Sequence, residues 1–559
     1  MPLDSIHLNC IIGELKPLIV GGRIDKIIAS DGDTVVLRIY LDKNKYNLLL
    51  SASPSNPKIY LTNDIAMNEN LNTHFLTHLK KHILSGKIID IVCTLGERVV
   101  IINIESRNEL GVLNEYNLVL EIMGRHSNIM LVNSQNKISD SIKHVPFDVS
   151  TVRQVLPGLM YEPAPAQEKL LPNDFENIKA ALDNFNGSEL FDFLINNVAG
   201  LAPNSINEII FNAGGKKENL INELKNFVTN KKIAPNIKIA GDKITDFYLY
   251  DFKSVSGEIK NFETLNEAAS YYFASKELKI KLGDKSRQLN QVLNTAIKKI
   301  TKRLDTLSTQ NLSALDYEND KIIGEILTAN LYKIKHGDKE LIADNYYTDP
   351  VSQITIALDT TKSPSKQADK YFKNYKKKQK TILMTNEQIE KESAQLNYLN
   401  GISESLKLSQ SLDDLTEIQQ ELILVGLIKD QTKSKKTTEK TTKISGVKKT
   451  EFEGYTILTG KNNTQNEALY RSSKPSDVWL HTKDYHGSHT VIVNPKKDMP
   501  PHGVILFAAK QAAKYSKAKH SEKTAVDYTF IKFVSKQKGA GLGKVNYINH
   551  KTVFVNINE

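Results

Sequence analysis

Hydrophobic and polar positions alternate with a period of two from Val35 to Asn133, in runs such as "TVVLRIYLD", "KIYLT", "RVVIINIE" and "NLVLEIMG" bounded by Gly, Asn and Asp. That period turns successive side chains to opposite faces and predicts antiparallel strands. The segment "RQVLPGLMYEPAPAQ" is too rich in proline for an element interior and predicts a linker. Beyond it, residues 170–240 take a helical period. There "LFDFLINNVAGLAPNSINEIIFNAG" predicts two short helices around the turn Gly200-Leu201-Ala202-Pro203, with Asn204 or Ser205 capping the second. Such a helix–turn–helix unit can offer backbone N–H groups to phosphates, although packing is its commoner role.

From about Asn266 to Leu315 the helical pattern lengthens. Leu293, Ile297, Ile300, Leu304 and Leu307 recur at alternating spacings of four and three with charged residues between them, which predicts a coiled-coil seam. A second long helix, Lys366 to Leu412, carries Ile389, Leu396, Leu399 and Leu406 less regularly. Because the turn and strand of "NYYTDPVSQITIALD" lie between them, the two helices are expected to run antiparallel as one arm with a small insert at its tip. The stretch "KDQTKSKKTTEKTTK" is polar and aperiodic and predicts a flexible linker. After it, "GYTILTG", "WLHTK", "HTVIV" and "KTVFVNI" predict strands, interrupted by the helix "GVILFAAKQAAKYSKAK". The expected fold class is therefore multidomain α+β. A β-rich domain occupies 1–168, a helical, helix-hairpin-helix-like domain 169–262, the coiled-coil arm 263–428, the linker 429–444 and an α+β module 445–559.

A chain of 559 residues exceeds what one core organises. It has no run of about 18 apolar residues, and its first twenty residues carry Asp4, Glu14 and Lys16 in place of a basic start and an apolar stretch, so no membrane span or secretory leader is expected. The two cysteines, Cys10 and Cys93, make no disulfide framework and no CxxC, which suits a reducing cytosol. The net charge of +10 is unevenly placed: residues 431–559 hold 23 Lys and Arg against 10 Asp and Glu, and residues 1–430 stand at about −3. A basic excess suits a polyanion through counterion release, and equally a solvated face.

Two stretches carry candidate chemistry. Between Lys362 and Lys380 lie eight lysines and one aspartate, of which Lys370, Lys373, Lys376, Lys377 and Lys378 form a basic stripe able to follow an RNA backbone. The aromatics among them, Tyr371, Phe372 and Tyr375, are expected to pack on the partner helix. The second stretch, "DVWLHTKDYHGSHTVIV" from Asp477 to Val493, gathers three histidines and the only tryptophan beside the Gly487-Ser488 turn. His481, His486 and His489 are spaced at five and three on a strand–turn–strand, without the paired spacing of zinc ligands. Ser488 is in no nucleophile elbow, and no Walker loop or dinucleotide fingerprint occurs, so no metal, cofactor or catalytic centre is expected. Lys483, the Gly-Ser turn, the imidazoles and Trp479 are groups that bind nucleic acid, while core packing is the commoner role of a lone strand tryptophan.

Longer stretches carry a resemblance. "DVWLHTKDYHGSHTVIV", "AAKQAAKYSKAKHSEKTAVDYT" and "KQKGAGLGKVNYINHKTVFV" resemble the NFACT-R domain. "EIMGRHSNIMLVN" and "VRQVLPGLMYEPAP" resemble NFACT-N, and "GEILTANLY", "NYYTDP" and "YFKNYKKKQK" resemble the coiled-coil middle of the same family. The similarity covers essentially the whole chain in the family's order. The chain thus resembles the NEMF/RqcH family of NFACT-domain proteins, which older descriptions call fibronectin-binding protein A.

The resemblance implies a DNA-glycosylase-like NFACT-N and a cytoplasmic, ribosome-associated, non-catalytic factor of ribosome quality control. Such a factor binds, as a monomer, the large ribosomal subunit (rRNA and stalk-base region) still carrying peptidyl-tRNA. It recruits alanyl-tRNA, so that the stalled chain gains an untemplated C-terminal alanine tail for degradation, and the ribosome forms the bond. An RqcP-type S4-domain protein is the implied helper, and no membrane or cofactor is implied. The implied tRNA-binding residues are Asp4 and an acid–arginine pair at Glu97 and Arg98, to which the "GRHSN" stretch, with Arg125, His126 and Asn128, adds a cationic edge suited to a tRNA backbone or anticodon arm. The family's pair is Asp-Arg, and glutamate carries the carboxylate one methylene further out. In NFACT-R the implied RNA- and ribosome-binding residues are Trp479, His481, Lys483, Gly487, Ser488 and His489, all but Trp479 forming an exposed edge. The glycosylase reading needs a glutamate after the nucleophilic Pro2, where this chain has Leu3. A fibronectin-binding surface adhesin is the other alternative.

Overall fold

A computed structural model of the chain describes residues 3–63, 71–108, 110–165, 168–187, 189–229, 232–241, 243–430, 446–483, 485, 487–517, 521, 523–536 and 541–557. Pro2, His486 and most of the expected linker lie outside the described residues. The chain forms two compact units, Met1–Lys279 and Ile280–Glu559. No helix among the described residues is long and apolar enough to cross a membrane.

The first unit opens with helix α1 (Ser5–Ile19), followed by β1 (Arg23–Asp31), β2 (Thr34–Leu41), β3 (Asn44–Ser51) and β4 (Lys58–Leu61). Helix α2 (His74–Ile83) leads to β5 (Lys87–Cys93), β6 (Val99–Arg107), β7 (Leu113–Glu121), β8 (Asn128–Asn133) and β9 (Ile138–Ser141). The nine strands form one antiparallel sheet in the order β4-β3-β2-β1-β5-β6-β7-β8-β9, as the alternating runs predict. The helices α3 (Phe175–Asp183), α4 (Leu190–Asn197), α5 (Pro203–Asn212) and α6 (Lys217–Thr229) follow, and then a three-stranded sheet of β10 (Asn236–Ala240), β11 (Lys243–Tyr248) and β12 (Glu258–Asn261). The change from strands to helices near residue 170 is not a break in the core: one apolar cluster runs from Leu3 and Ile11 through Ile102, Phe193 and Ile206 to Phe273. Helix α5 starts on Pro203 with Ala202 at its cap, which corrects the expected Asn204 or Ser205 cap. Proline fits that first position because its missing N–H would have had no helical partner.

Helix α7 (Leu265–Leu312) buries Leu265, Ala268 and Phe273 in this core. In the second unit its later turns face α9 (Pro364–Leu408), introduced after α8 (Tyr317–Ala329) and the hairpin β13 (Glu340–Asn345) and β14 (Ser352–Ala357). Arg303 pairs with Glu392 at 2.9 Å, and Asn311 donates to Thr385 at 2.7 Å, so the two helices pack antiparallel. Leu289, Leu293 and Ile300 bury against Leu399, Ile402 and Leu406, joined by Leu415 and Ile418 of α10 (Leu412–Leu424). The third helix explains the irregular spacing on α9, which must bury two faces at that end. Tyr371 and Phe372 pack against the small core of α8 and the hairpin, and Tyr375 lies 5.7 Å from Tyr317.

The C-terminal region comprises β15 (Lys448–Phe452), β16 (Tyr455–Thr459), α11 (Asn463–Ser472), β17 (Val478–Thr482), β18 (Thr490–Val493), α12 (His502–Lys514), β19 (Thr524–Phe530), a short ribbon of β20 (Val534–Ser535) and β21 (Asn546–Tyr547), and β22 (Lys551–Val555). Its six-stranded antiparallel sheet has the order β15-β16-β18-β17-β19-β22. Helix α12 covers one face, and its buried Ala508, Ala509, Ala512 and Ala513 let the helix sit close to Ile457, Val478 and Val526. On the other face Leu469 of α11 packs with Trp479 and Val491.

Candidate nucleic-acid interface

In the first unit the site begins at the start of α1. Asp4 caps that helix: its Oδ1 accepts the backbone N–H of His7 at 2.8 Å and faces His7 Nδ1 at 2.7 Å. Its Oδ2 accepts the Ser205 hydroxyl at 2.5 Å. Burial works against ionisation of Asp4, but the His7 charge and these hydrogen bonds prevail and hold its carboxyl below the usual range. Burial likewise works against the His7 cation, and Asp4 with Asp246 prevails in raising it. Each thus favours the charged form of the other. Asp246 is pushed up to about 6 by burial, opposed by the His7 charge and by hydrogen bonds from Phe247 and Asn204.

Two glycine turns lock onto this pair. Gly96, between β5 and β6, has φ +81, and a Cβ there would meet Leu171 at 2.8 Å. Gly200, between α4 and α5, has φ +73, and its Cβ would meet Ser5 Oγ at 2.2 Å and the Gly96 carbonyl at 2.7 Å. Only glycine permits this backbone at this distance. The Gly200 carbonyl accepts the Ser5 N–H at 2.9 Å. The turns wall a cavity of about 670 Å³ lined by Asp4, Glu97, Arg98, Met123, Lys169 and Leu171 among others. Burial lowers the Arg98 pKa, opposed by the Asp4 charge. Lys169 donates to the Ile195 carbonyl at 2.9 Å.

Asp4, Glu97 and Arg98, far apart in sequence, are thus brought to one cavity. Arg125 and His126 are not among its lining residues; they sit exposed on the turn Gly124–His126, with Arg125 Nε donating to His126 Nε2 at 2.9 Å. Asn128 departs from the expected edge. It is buried, its amide donates to the Lys143 carbonyl at 2.8 Å, and its Oδ1 accepts from Ile129 and Lys143, so it holds the backbone around β8. The sequence reading missed His7, Asp246 and the role of Ser205. Only His7 had a local signal, three residues after a helix-capping acid.

In the second unit, β17 and β18 bring the histidines around Trp479. The indole is 1% exposed and stacks nearly parallel to His481 at 5.7 Å, with His489 edge-on at 5.1 Å and Tyr547 at 4.8 Å. Burial, with the neighbouring His481, holds the His489 imidazole well below its ordinary pKa, opposed by a hydrogen bond to Asn466. Ser488 donates to the Tyr515 carbonyl at 3.0 Å, and the His489 N–H donates to Asn466 Oδ1 at 2.9 Å. A Cβ on Gly487 would meet Ser516 and Thr482 at 2.7 Å. The expected exposed edge is corrected accordingly: Ser488 and His489 are buried, His481 and Gly487 half-buried, and Lys483 exposed. Contacts from α11 and the end of α12 draw the turn inward. Among the described residues no group of three or more His, Cys, Asp or Glu side chains is arranged to hold a metal ion.

On α9, Lys370, Lys373, Lys376 and Lys377 are exposed. Lys378 instead bridges Asp316 at 2.9 Å and Asp320 at 2.7 Å, which ties it to α8.

A family model described as NFACT N-terminal and middle domains matches residues 4–441, and one described as the NFACT protein RNA binding domain matches residues 447–548. The chain is 34% identical to the Rqc2 homolog RqcH of Bacillus subtilis, over 99% of this chain and 98% of the relative. It is 29% identical to the Rqc2 homolog RqcH of Streptococcus pneumoniae serotype 2, over the same shares. Among solved structures, a fibrinogen binding protein from Staphylococcus aureus aligns with a TM-score of 0.43 and 26% identity, over 49% of this chain and 99% of its own.

Proposed function

The chain belongs to the NFACT family of RqcH proteins, and from that premise we propose that it is an RNA-binding factor of ribosome quality control. It binds large ribosomal subunits that still hold peptidyl-tRNA and recruits alanyl-tRNA, so that the ribosome adds an untemplated alanine tail to the stalled chain. The observation that carries this reading is the convergence of Asp4, Glu97 and Arg98 on one cavity. Arg98 is the cation offered to the tRNA, because a guanidinium keeps its charge at half-burial and can bond a phosphate with two N–H groups. Asp4 has its oxygens engaged by His7 and Ser205. It is a positioning residue, which sets the start of α1 and the field beside Arg98. Glu97 is half-buried at the cavity, and its extra methylene can be taken up by rotation there.

The test is capture of the tagged full chain from cells at low salt, with sequencing of the bound RNA and mass spectrometry of the nascent peptides. The expected result is large-subunit RNA, enriched alanine tRNA and alanine-extended peptides, with an RqcP-type S4-domain protein as helper. Arg98→Ala is expected to keep the ribosomal RNA and lose the tRNA and the tails. Wild-type levels of both in that variant would remove Arg98 from the site, and absence of ribosomal RNA would remove the function.

A further inference from the structure

The second unit holds a further cavity of about 630 Å³. One wall is α9 from Glu390 to Leu408, the floor is Trp479, His481 and His489, and the far wall is the segment from Leu542 to Tyr547. The walls are tied together. Tyr398 donates to Glu421 at 2.6 Å and Asn463 to the same oxygen at 2.9 Å, while Asn462 and Gln465 donate to Glu417 at 2.7 and 2.8 Å. These bonds join α9 and α10 to α11. The far wall comes close because of its glycines: a Cβ on Gly541 would lie 3.1 Å from the Tyr398 ring, and one on Gly543 3.1 Å from the Asn463 carbonyl.

The lining names a ligand class. The volume falls within the range of about 300–1,000 Å³ usual for small-ligand sites. Besides the indole and imidazoles, Tyr398, Tyr485 and Tyr547 present aromatic rings, and Lys544 and Lys461 carry cations, the latter paired with Asp414 at 3.5 Å. Among the described residues, Nε1 of Trp479 and Nδ1 of His489 are buried without a hydrogen-bond partner, an arrangement that costs stability until something pairs them. Planar rings, a fixed donor, a neutral imidazole and flanking cations together suit a heteroaromatic base attached to a phosphate. We infer that this slot receives one unstacked nucleobase of a single-stranded RNA, with the strand running past Lys461 and Lys544. The inference rests on the RNA-binding reading of the C-terminal region and extends it to α9, which becomes half of the RNA site.

Trp479 is the only tryptophan, so its emission reports on the floor of the slot alone. The full chain is titrated with an end-labelled RNA hexamer while label anisotropy and Trp479 emission are followed together. Both are expected to saturate with one midpoint. Ala394→Phe, at an exposed lining position of α9, is expected to raise that midpoint about tenfold. Gln395→Phe, exposed but outside the lining, leaves it unchanged. If anisotropy saturates while Trp479 emission and the Ala394→Phe midpoint stay at their starting values, the slot is overturned and the RNA-binding reading stands. Should adenosine or uridine monophosphate saturate the emission at the hexamer's concentrations, the occupant is a free nucleotide and the strand is overturned. No association with the hexamer removes the RNA-binding reading beneath the inference.

Discussion

The Asp4 cavity and the Trp479 slot are of similar size, about 670 and 630 Å³, and are built on opposite principles. The first keeps the carboxylate of Asp4 in its wall, backed by His7 at one end of a helix and fixed by a serine two hundred residues away. The second keeps its imidazole neutral and sets it against Trp479 and His481, two rings of one strand. A buried pair prefixes a field, whereas a neutral aromatic nest leaves bonding capacity open for a guest. The contrast also teaches that clustering in sequence marks chemistry without revealing exposure: the histidine-rich motif is mostly interior, and the dispersed residues are the ones that share a cavity wall.

The comparison breaks most sharply at Asp4. Asp4→Ala removes the cap of α1 and leaves the His7 charge buried without its partner, at a cost of about 3–5 kcal/mol. The check is the urea transition of the first unit by hydrogen exchange, which should shift while Trp479 emission keeps its own midpoint. An unchanged exchange transition would show that the charged wall is not structural. Next comes Arg98→Ala, expected to weaken tRNA capture about 10- to 100-fold, the worth of one charge-assisted hydrogen bond at about 1.5–3 kcal/mol. Glu97→Asp should stay within a few-fold of wild type in the same assay.

The two sites should also respond oppositely to pH. His7 has a raised folded pKa, so its contribution is complete below about 6.5, its unfolded value, and is lost as pH rises through the folded one. Asp246, raised to about 6, adds a loss in the same direction as pH climbs from about 4 through 6. Asp4 opposes both only at acid pH, where its stabilisation is lost as pH falls through its depressed pKa. His489 is held neutral, so the second unit loses stability as pH falls below about 6.5, where the unfolded imidazole takes a proton and the folded one does not. Protection of the α1 amides, wild type against His7→Asn, isolates the first slope, and Trp479-monitored unfolding against His489→Gln isolates the second. Equal slopes in wild type and variant would refute either assignment. The smallest effect is expected at exposed Lys483. Its replacement by alanine should reduce the salt dependence of RNA binding by about one counterion with little change in stability.

Much of the fold was legible because periodicity is local. The alternation in β2, β6 and β7 and the four-three spacing on α7 each follow from which side of one element is buried. Helix α1 was less visible, since "SIHLNCIIGELKPLI" is apolar around most of its circumference and carries Pro17 near its end. The candidates Asp4, Glu97 and Arg98 came from family resemblance, and the cavity they share could not be read from it. Ser205 and Asp246 reach the His7 pair only through the arrangement of α5 and β11, for which no short motif exists. The inward turn at Ser488 escaped for the same reason: Asn466 and Tyr515 hold it from other elements.

The interlock of Ser5 with Gly200, and of Asp4 with Ser205, also sets a timetable. A chain emerging at roughly 5–20 residues per second cannot finish the first turn of its first helix until the segment near residue 205 has left the exit tunnel, a wait on the order of ten seconds or more. During that interval Asp4 and His7 have only each other. The Asp4 cavity thus depends on uninterrupted synthesis of its own chain, and a chain truncated before Gly200 would carry all of Asp4, Glu97 and Arg98 without the turn that walls their cavity.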